Sequence, residues 1–286
     1  MIDLRNLLLA LEYDGSSYSG WQIQREKRTV QGILETTLSE ILQERVRVIA
    51  SGRTDAGVHA IGQVVNFRTN SSLPEEVIFR VLKARLFKNI KPINLFEVPF
   101  DFHARKSAVR KRYIYVVFME QMLPVFLRNY VYYLGQIDID VQQIQEGRQI
   151  FLGTHDFTSF SSPREGNGSP IRTIFTLEVR QEHPFLFFDI EADGFLYHMV
   201  RFLVGELLMM GLGRKRIDDL YYMLFHPSYS HHRFNAPPHG LYLMSVEYPD
   251  VNPYYGFVLR DSGFVVPLWR KTEVCYNPSR REKGIR

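Results

Sequence analysis

Two hydrophobic periodicities, one of two residues and one of three to four, follow each other along this chain. Their order is nearly the same in both halves and constrains the fold more than any other feature. Leu7–Tyr13 reads as a strand and stops at the turn cluster Asp14-Gly15-Ser16-Ser17. Val30, Ile33, Leu34, Thr37, Leu38, Ile41 and Leu42 then recur at helical spacing behind Thr29, a natural N-cap. Arg45–Ala50 and Gln63–Thr69 are strand-like runs, Leu73–Phe87 predicts a second amphipathic helix, and Ile93–Val98 closes a β-α-β-β-α-β unit. The second half predicts strands at Arg112–Met119 and Tyr130–Leu134 and a helix at Val141–Leu152. An antiparallel pair at Ile171–Arg180 and Phe185–Ala192 follows, then helices at Leu196–Met210 and Ile217–Phe225 and a last strand at Gly240–Tyr248.

Strands and helices mix without strict βαβ alternation, which predicts an α+β fold with a largely antiparallel sheet. Ser161–Ser169 and Pro227–His239 read as linkers, and after Pro249 the pattern dissolves into a loosely attached tail. A length of 286 residues allows two domains or one large one. With 45% apolar and 23% charged residues, disordered, collagenous and solenoid chains are excluded. The single cysteine, Cys275, excludes an intrachain disulfide and a multi-cysteine zinc site. The apolar run Leu7–Leu11 is too short for a signal peptide, and His198–Leu212 is too short and too interrupted by Arg201 and Glu206 to span a bilayer. The expectation is a cytoplasmic enzyme or binding protein. The net charge of +4 lies wholly in residues 270–286, which hold six basic and two acidic side chains; the remainder balances at 29 of each.

Three stretches could carry chemistry. Ser51-Gly52-Arg53-Thr54-Asp55-Ala56-Gly57-Val58-His59-Ala60 joins two predicted strands, where a scaffold commonly holds functional loops. An Arg two positions from an Asp keeps the carboxylate charged, and a desolvated carboxylate can act as a nucleophile; a tight turn with a solvated Arg satisfies the same spacing. Asp55 and His59, with His103, His231 and His232 elsewhere, match no strong metal signature. Arg105-Lys106-Ser107-Ala108-Val109-Arg110-Lys111-Arg112 puts five cations in eight residues just before Tyr113-Ile114-Tyr115. That run suits phosphate contacts beside a stacking surface, or a solvated basic turn. Arg25, Lys27 and Arg28 make a smaller patch of the same kind. Arg201, among Met199, Val200, Phe202 and Leu203, has a carboxylate or a phosphate of a functional site to meet, or else a buried structural ion pair to make.

At these residues the chain resembles the tRNA pseudouridine synthases of the TruA type. Gly52-Arg53-Thr54-Asp55-Ala56-Gly57-Val58-His59-Ala60 is similar to the family's catalytic motif residue for residue. Tyr13-Asp14-Gly15 through Gly20-Trp21-Gln22, Asp101-Phe102-His103-Ala104-Arg105 with Arg112-Tyr113, Gly153–Phe160, His198-Met199-Val200-Arg201 and Gly240-Leu241-Tyr242-Leu243 resemble further family motifs in the right order. The likeness spans about residues 7–249. It implies two related ferredoxin-like halves, 1–105 and 106–249, that form one mostly antiparallel sheet flanked by helices with the active cleft between them. Residues 250–286 are left as an extension without a family role. It further implies a homodimeric isomerase without cofactor or metal that converts uridine to pseudouridine in the tRNA anticodon stem-loop, at positions 38 to 40. By the same likeness Asp55 is the catalytic carboxylate, Arg53 pairs with it, Tyr113 stacks on the target base and Leu241 forms an apolar wall. Arg201, His59, Arg105, Arg110, Lys111 and Arg112 are the expected substrate contacts.

Overall fold

Strand β1 (Arg5–Tyr13) is followed by α1 (Val30–Leu42), β2 (Val48–Ala50), β3 (His59–Thr69), α2 (Glu75–Arg85) and β4 (Ile90–Glu97) in this computed structural model. The second half runs β5 (Arg110–Phe118), β6 (Tyr132–Tyr133), α3 (Val141–Gly147), β7 (Gly153–Asp156), β8 (Ile171–Glu182) and β9 (Phe185–Ala192). Helices α4 (Met199–Gly211) and α5 (Ile217–Phe225) and strand β10 (Leu241–Glu247) complete it. The structure describes residues 4–86, 88–163 and 168–255; Cys275 and the basic cluster of residues 270–286 lie outside the described residues. The Thr29 hydroxyl accepts from the Gly32 amide at 3.3 Å and caps α1. Helix α2 carries Glu75 and Glu76 in its first turn and Lys83 and Arg85 in its last, the arrangement its dipole favours.

All these strands join one sheet in the order β4-β1-β3-β10-β5-β9-β8-β7, with β2 on β3 and β6 on β5. The pairs are antiparallel except β10 with β3 and β5 with β6, so the α+β class holds. The seam between the two halves is the parallel pair Tyr242↔His59 and Leu243↔Ala60. Strand β3 therefore starts at His59 rather than Gln63, because its first residues pair with a strand from the far end of the chain. The predicted helix 141–152 becomes α3 plus a 3-10 turn at Arg148–Phe151, and the predicted strand 130–134 shrinks to Tyr132–Tyr133.

Alternation along β5 sorts its side chains to two faces. Tyr113, Tyr115 and Val117 join the large core under the helices. Ile114, Val116 and Phe118 face the other way, with Phe185 and Phe187 of β9 and Tyr242 and Met244 of β10, beneath Leu127 and Val131. The chain just past Pro249 is docked, not loose: Val251 and Tyr254 pack on the large core. The Tyr254 hydroxyl donates to the Gly62 carbonyl at 2.8 Å and accepts from the Val246 amide at 2.9 Å.

Candidate active site

The loop from Ser51 to Val58 leaves β2 and enters β3, and its backbone is tied down from several sides. Trp21 N–H donates to the Thr54 carbonyl at 3.0 Å, Gln63 Nε2 to the Gly52 carbonyl at 3.0 Å, and the Tyr13 and Thr54 hydroxyls meet at 2.8 Å. Burial pushes the Tyr13 phenol up to about 12, so it remains a neutral hydrogen-bonding group. Gly20 passes against the back of this loop with φ +87°, and a Cβ there would stand 2.9 Å from the Thr54 carbonyl oxygen and 3.0 Å from the Ala56 amide. Only glycine allows both that conformation and that approach. Asp55 is thus held by a rigid loop, and it lines a cavity of about 950 Å³.

From the second half, α4 brings its first turn to the same carboxylate. Arg201 Nη1 donates to Asp55 Oδ2 at 2.8 Å, and Arg201 Nε donates to the Ala236 carbonyl at 2.7 Å. His198, the N-cap of α4, stands with Nε2 3.4 Å from the same Oδ2. Burial lowers the His198 imidazole, Asp55 pulls it the other way, and Arg201 adds to the lowering. Both contacts fall on Oδ2, and Oδ1 has no hydrogen-bond partner among the described residues. The rest of the lining includes Tyr113, Phe195, Tyr197, Leu241, Arg53, Arg105, Lys111 and Lys27; among the described residues Asp55 is the only acidic side chain in it. A cavity whose single acid is surrounded by cations suits a polyanion whose reacting atom meets that acid.

Tyr113 lies 5.1 Å from Phe195 in an edge-to-face arrangement, its ring buried in the cavity wall. Burial first, then Tyr13 and Asp55, push its phenol far above the ordinary value. Lys111 Nζ donates to the Ser51 carbonyl at 2.6 Å, and burial, with Arg105 and Arg172 near, brings its ammonium down to about 8.

Three expectations change. Arg53 is exposed at the cavity rim and makes no ion pair with Asp55; the partner is Arg201, 146 residues away in sequence. The Arg two positions off in a tight loop is directed outward, whereas α4 aims Arg201 straight at the carboxylate. His59 is buried away from the cavity between Tyr130 and Tyr242, with Nε2 2.9 Å from the Asn129 carbonyl. Its Nδ1 accepts from the Gly15 amide at 3.1 Å and lies 3.2 Å from Asp14. Burial raises Asp14, but the His59 ring beside it and hydrogen bonds from Ser16 and Tyr130 outweigh it and hold that carboxyl well below the usual range. Arg110 and Arg112 fall on the sheet face opposite Tyr113, because their positions on β5 have the other parity. Arg112 forks onto Asp189 at 2.8 and 2.6 Å, and Arg110 meets Glu191 at 2.6 Å. Of the basic run, Arg105 and Lys111 reach the cavity.

His198, Phe195 and Ser162, which donates to or accepts from His198 Nδ1 at 2.9 Å, were not singled out by composition or spacing. The available signal was His198 at three residues before Arg201, the N-cap and N3 positions of a helix, which share one side.

A model of the tRNA pseudouridine synthase family matches residues 9–105 and 148–249. A tRNA pseudouridine synthase A of Anoxybacillus flavithermus is 43% identical over 246 residues, covering 86% of this chain and 99% of the relative. One of Shewanella sp. (strain W3-18-1) is 41% identical over 245 residues, 85% of this chain and 93% of the relative. One of Thermoanaerobacter sp. (strain X514) is 37% identical over 245 residues, 86% of this chain and all of the relative.

Proposed function

The chain belongs to the tRNA pseudouridine synthase family, a family of isomerases, and from that premise we propose that Asp55 is the carboxylate with which it turns uridine into pseudouridine in the tRNA anticodon stem-loop, at positions 38 to 40. The observation that carries this is the asymmetry of Asp55 in the lining of a basic cavity: Oδ2 is held by Arg201, while Oδ1 has no hydrogen-bond partner among the described residues. The isomerisation breaks the C1′–N1 bond, turns the uracil and forms C1′–C5; the C5 hydrogen leaves as a proton and N1 gains one. A carboxylate oxygen at the sugar meets the positive charge that develops on C1′, as the nucleophile of a retaining glycosidase does. Arg201 fixes that group by charge and through Nη1, while its Nε, tied to the Ala236 carbonyl, keeps the guanidinium aimed at it.

The target base must leave its stack, at a few kcal/mol, and a ring in the wall replaces part of what is lost, about 1–3 kcal/mol per stacked base. Tyr113 is placed for that, backed edge-on by Phe195, and Leu241 beside it keeps water from the sugar carbon. Arg105, Lys111 and Arg53 supply cations for neighbouring phosphates, Arg53 from the rim. The cleft is contributed by both halves, 1–105 and 106–249, which supports reading them as two units welded at the β3–β10 seam. No helix among the described residues is long and apolar enough to cross a membrane, and a tRNA substrate supports the reading of a cytoplasmic enzyme.

Between β5 and β6, Met122, Val125 and Phe126 stand in solvent, Phe126 at 80% exposure, beside the smaller core on the sheet face away from the helices. An apolar patch in that position supports a homodimer. Phe126→Asp should turn a dimer into a monomer in sedimentation; a wild-type monomer would refute it.

The reaction is tested with tRNA transcripts tritiated at uridine C5. Wild type should release tritium and Asp55→Ala should release none. Binding of tRNA and rRNA transcripts with no release from any of them would leave a silent RNA-binding protein instead.

A further inference from the structure

His198 adopts φ 64° and ψ 3°, a left-handed conformation that a side chain with a Cβ disfavours. Strain of this kind persists where the surroundings over-determine it, and it gathers at functional sites. The surroundings here are specific. The imidazole stacks on Tyr197 at 3.7 Å between ring centroids, and Phe202 meets it edge-on at 6.1 Å. Its Nδ1 is 2.9 Å from Ser162 Oγ, and Ser162 is itself fixed by its amide donating to the Tyr197 carbonyl at 3.0 Å. Its Nε2 is 3.4 Å from Asp55 Oδ2.

These contacts assign the tautomer. A carboxylate oxygen can only accept, so the nitrogen facing it carries the hydrogen. In a neutral ring Nδ1 is then bare and accepts from the Ser162 hydroxyl. Burial and the neighbouring Arg201 both favour the neutral ring. Arg201 Nη1 alone holds one oxygen of Asp55, and an aspartate's terminal torsion is broad. A second N–H approaching the same oxygen from the helix N-cap removes that freedom. The 3.4 Å separation is longer than a normal hydrogen bond, and catalytic contacts of this kind commonly tighten when substrate closes the site.

We propose that His198, oriented by Ser162, is a positioning residue that fixes the Asp55 carboxylate so that Oδ1 stays turned toward the sugar. This rests on the reading of Asp55 as the reacting group. His198 is not asked to touch the base or to move a proton.

The test uses the full-length enzyme, single-turnover tritium release at saturating tRNA transcript, and a separate measurement of transcript affinity. His198→Ala should slow the single turnover by about 10–100-fold, the scale of a small misplacement of a reacting group, with Kd unchanged within about threefold. His198→Gln, which carries an amide N–H near the position of Nε2, should recover part of that loss. Ser162→Ala should slow the step by less and should add nothing to His198→Ala, since both act through one contact. If His198→Ala does not fold, Ser162→Ala and His198→Gln decide alone. A wild-type single-turnover rate in whichever of these variants fold, or a loss confined to Kd, overturns the proposal. Asp55→Ala is run beside them. If it is inactive while the His198 variants run at full rate, only this inference fails; if it is active, the reading of Asp55 fails.

Discussion

Replacing Arg201 by Met should damage both stability and rate, and by amounts that can be worked out. At 2.8 Å and an effective dielectric constant of about 20, the gross attraction between Arg201 and Asp55 is about 6 kcal/mol, most of it offset by desolvation. Breaking a fully buried pair from one side costs about 3–5 kcal/mol. Here Asp55 keeps 21% of its side chain exposed and Arg201 12%, so water reaches the orphaned carboxylate. We therefore take about 2–3 kcal/mol, the lower end of that range or below. The Ala236 carbonyl also loses its donor at 2.7 Å, which adds about 1 kcal/mol. An unfolding entropy of about 2.1 cal/mol/K per residue converts the sum to a fall in Tm of about 5–7 °C. The rate should fall by about 100-fold or more, because Asp55 is no longer held in register. Arg201→Lys keeps the charge but cannot serve Ala236 and Asp55 at once, so it should recover only part of both losses. Arg53→Ala, by contrast, should leave Tm within about 1 °C, since exposed cations contribute little. The measurements are thermal unfolding by circular dichroism and single-turnover tritium release. An Arg201→Met enzyme that unfolds and reacts like wild type would refute the assignment of Asp55's partner.

Tyr113→Phe should keep the stacking ring and bind tRNA nearly normally, while Tyr113→Ala should lose about 1–3 kcal/mol of base stacking and with it most activity; equal activity of a folded alanine variant would contradict the stacking role. Lys111 should lose its proton near pH 8, well below the 10.5 of an unfolded chain. Between those values the unfolded chain binds more protons than the folded one, so stability in denaturant titrations should rise with pH relative to Lys111→Met. Through the same range tRNA affinity should fall in wild type and not in Lys111→Arg, and a flat wild-type profile would remove Lys111 from the phosphate contacts. Tyr254→Phe should cost about 1–2 kcal/mol by unfolding in urea, because the Val246 amide and the Gly62 carbonyl both lose the same hydroxyl; truncation after Pro249 should cost at least as much.

Much of this was legible in the sequence wherever the cause is local. Thr29 announced α1, the apolar runs at Arg112–Met119 and Phe185–Ala192 announced β5 and β9, and the Ser51–Ala60 motif stood out by its residue types. What was not legible depends on which strands meet. Nothing near Asp55 in the chain says that its partner lies on α4; the hint was a lone Arg201 on an apolar helix, an observation that demanded an anion without naming it. The parity of Arg110 and Arg112 could have been read from the strand's two-residue period, since Tyr113 was assigned to the base. A run of cations contiguous in sequence conceals that the strand splits it between two faces. His59 illustrates the opposite error: a histidine in a catalytic motif can serve the motif by packing, here between two tyrosines and under the amide of Gly15.

The placement of β10 has a consequence for how the enzyme comes into being. The last strand among the described residues lies in the middle of the sheet, between β3 and β5. A chain growing from its N-terminus can form β1, β3 and the Asp55 loop early, but the gap beside β3 stays open until Leu241–Glu247 has been made. Leu241 and the Ala236 carbonyl that steadies Arg201 arrive in that same final stretch. Premature termination anywhere before it leaves an open sheet edge and an unbraced carboxylate rather than a slow enzyme. The fold therefore makes the arrival of β10 the step that completes the site.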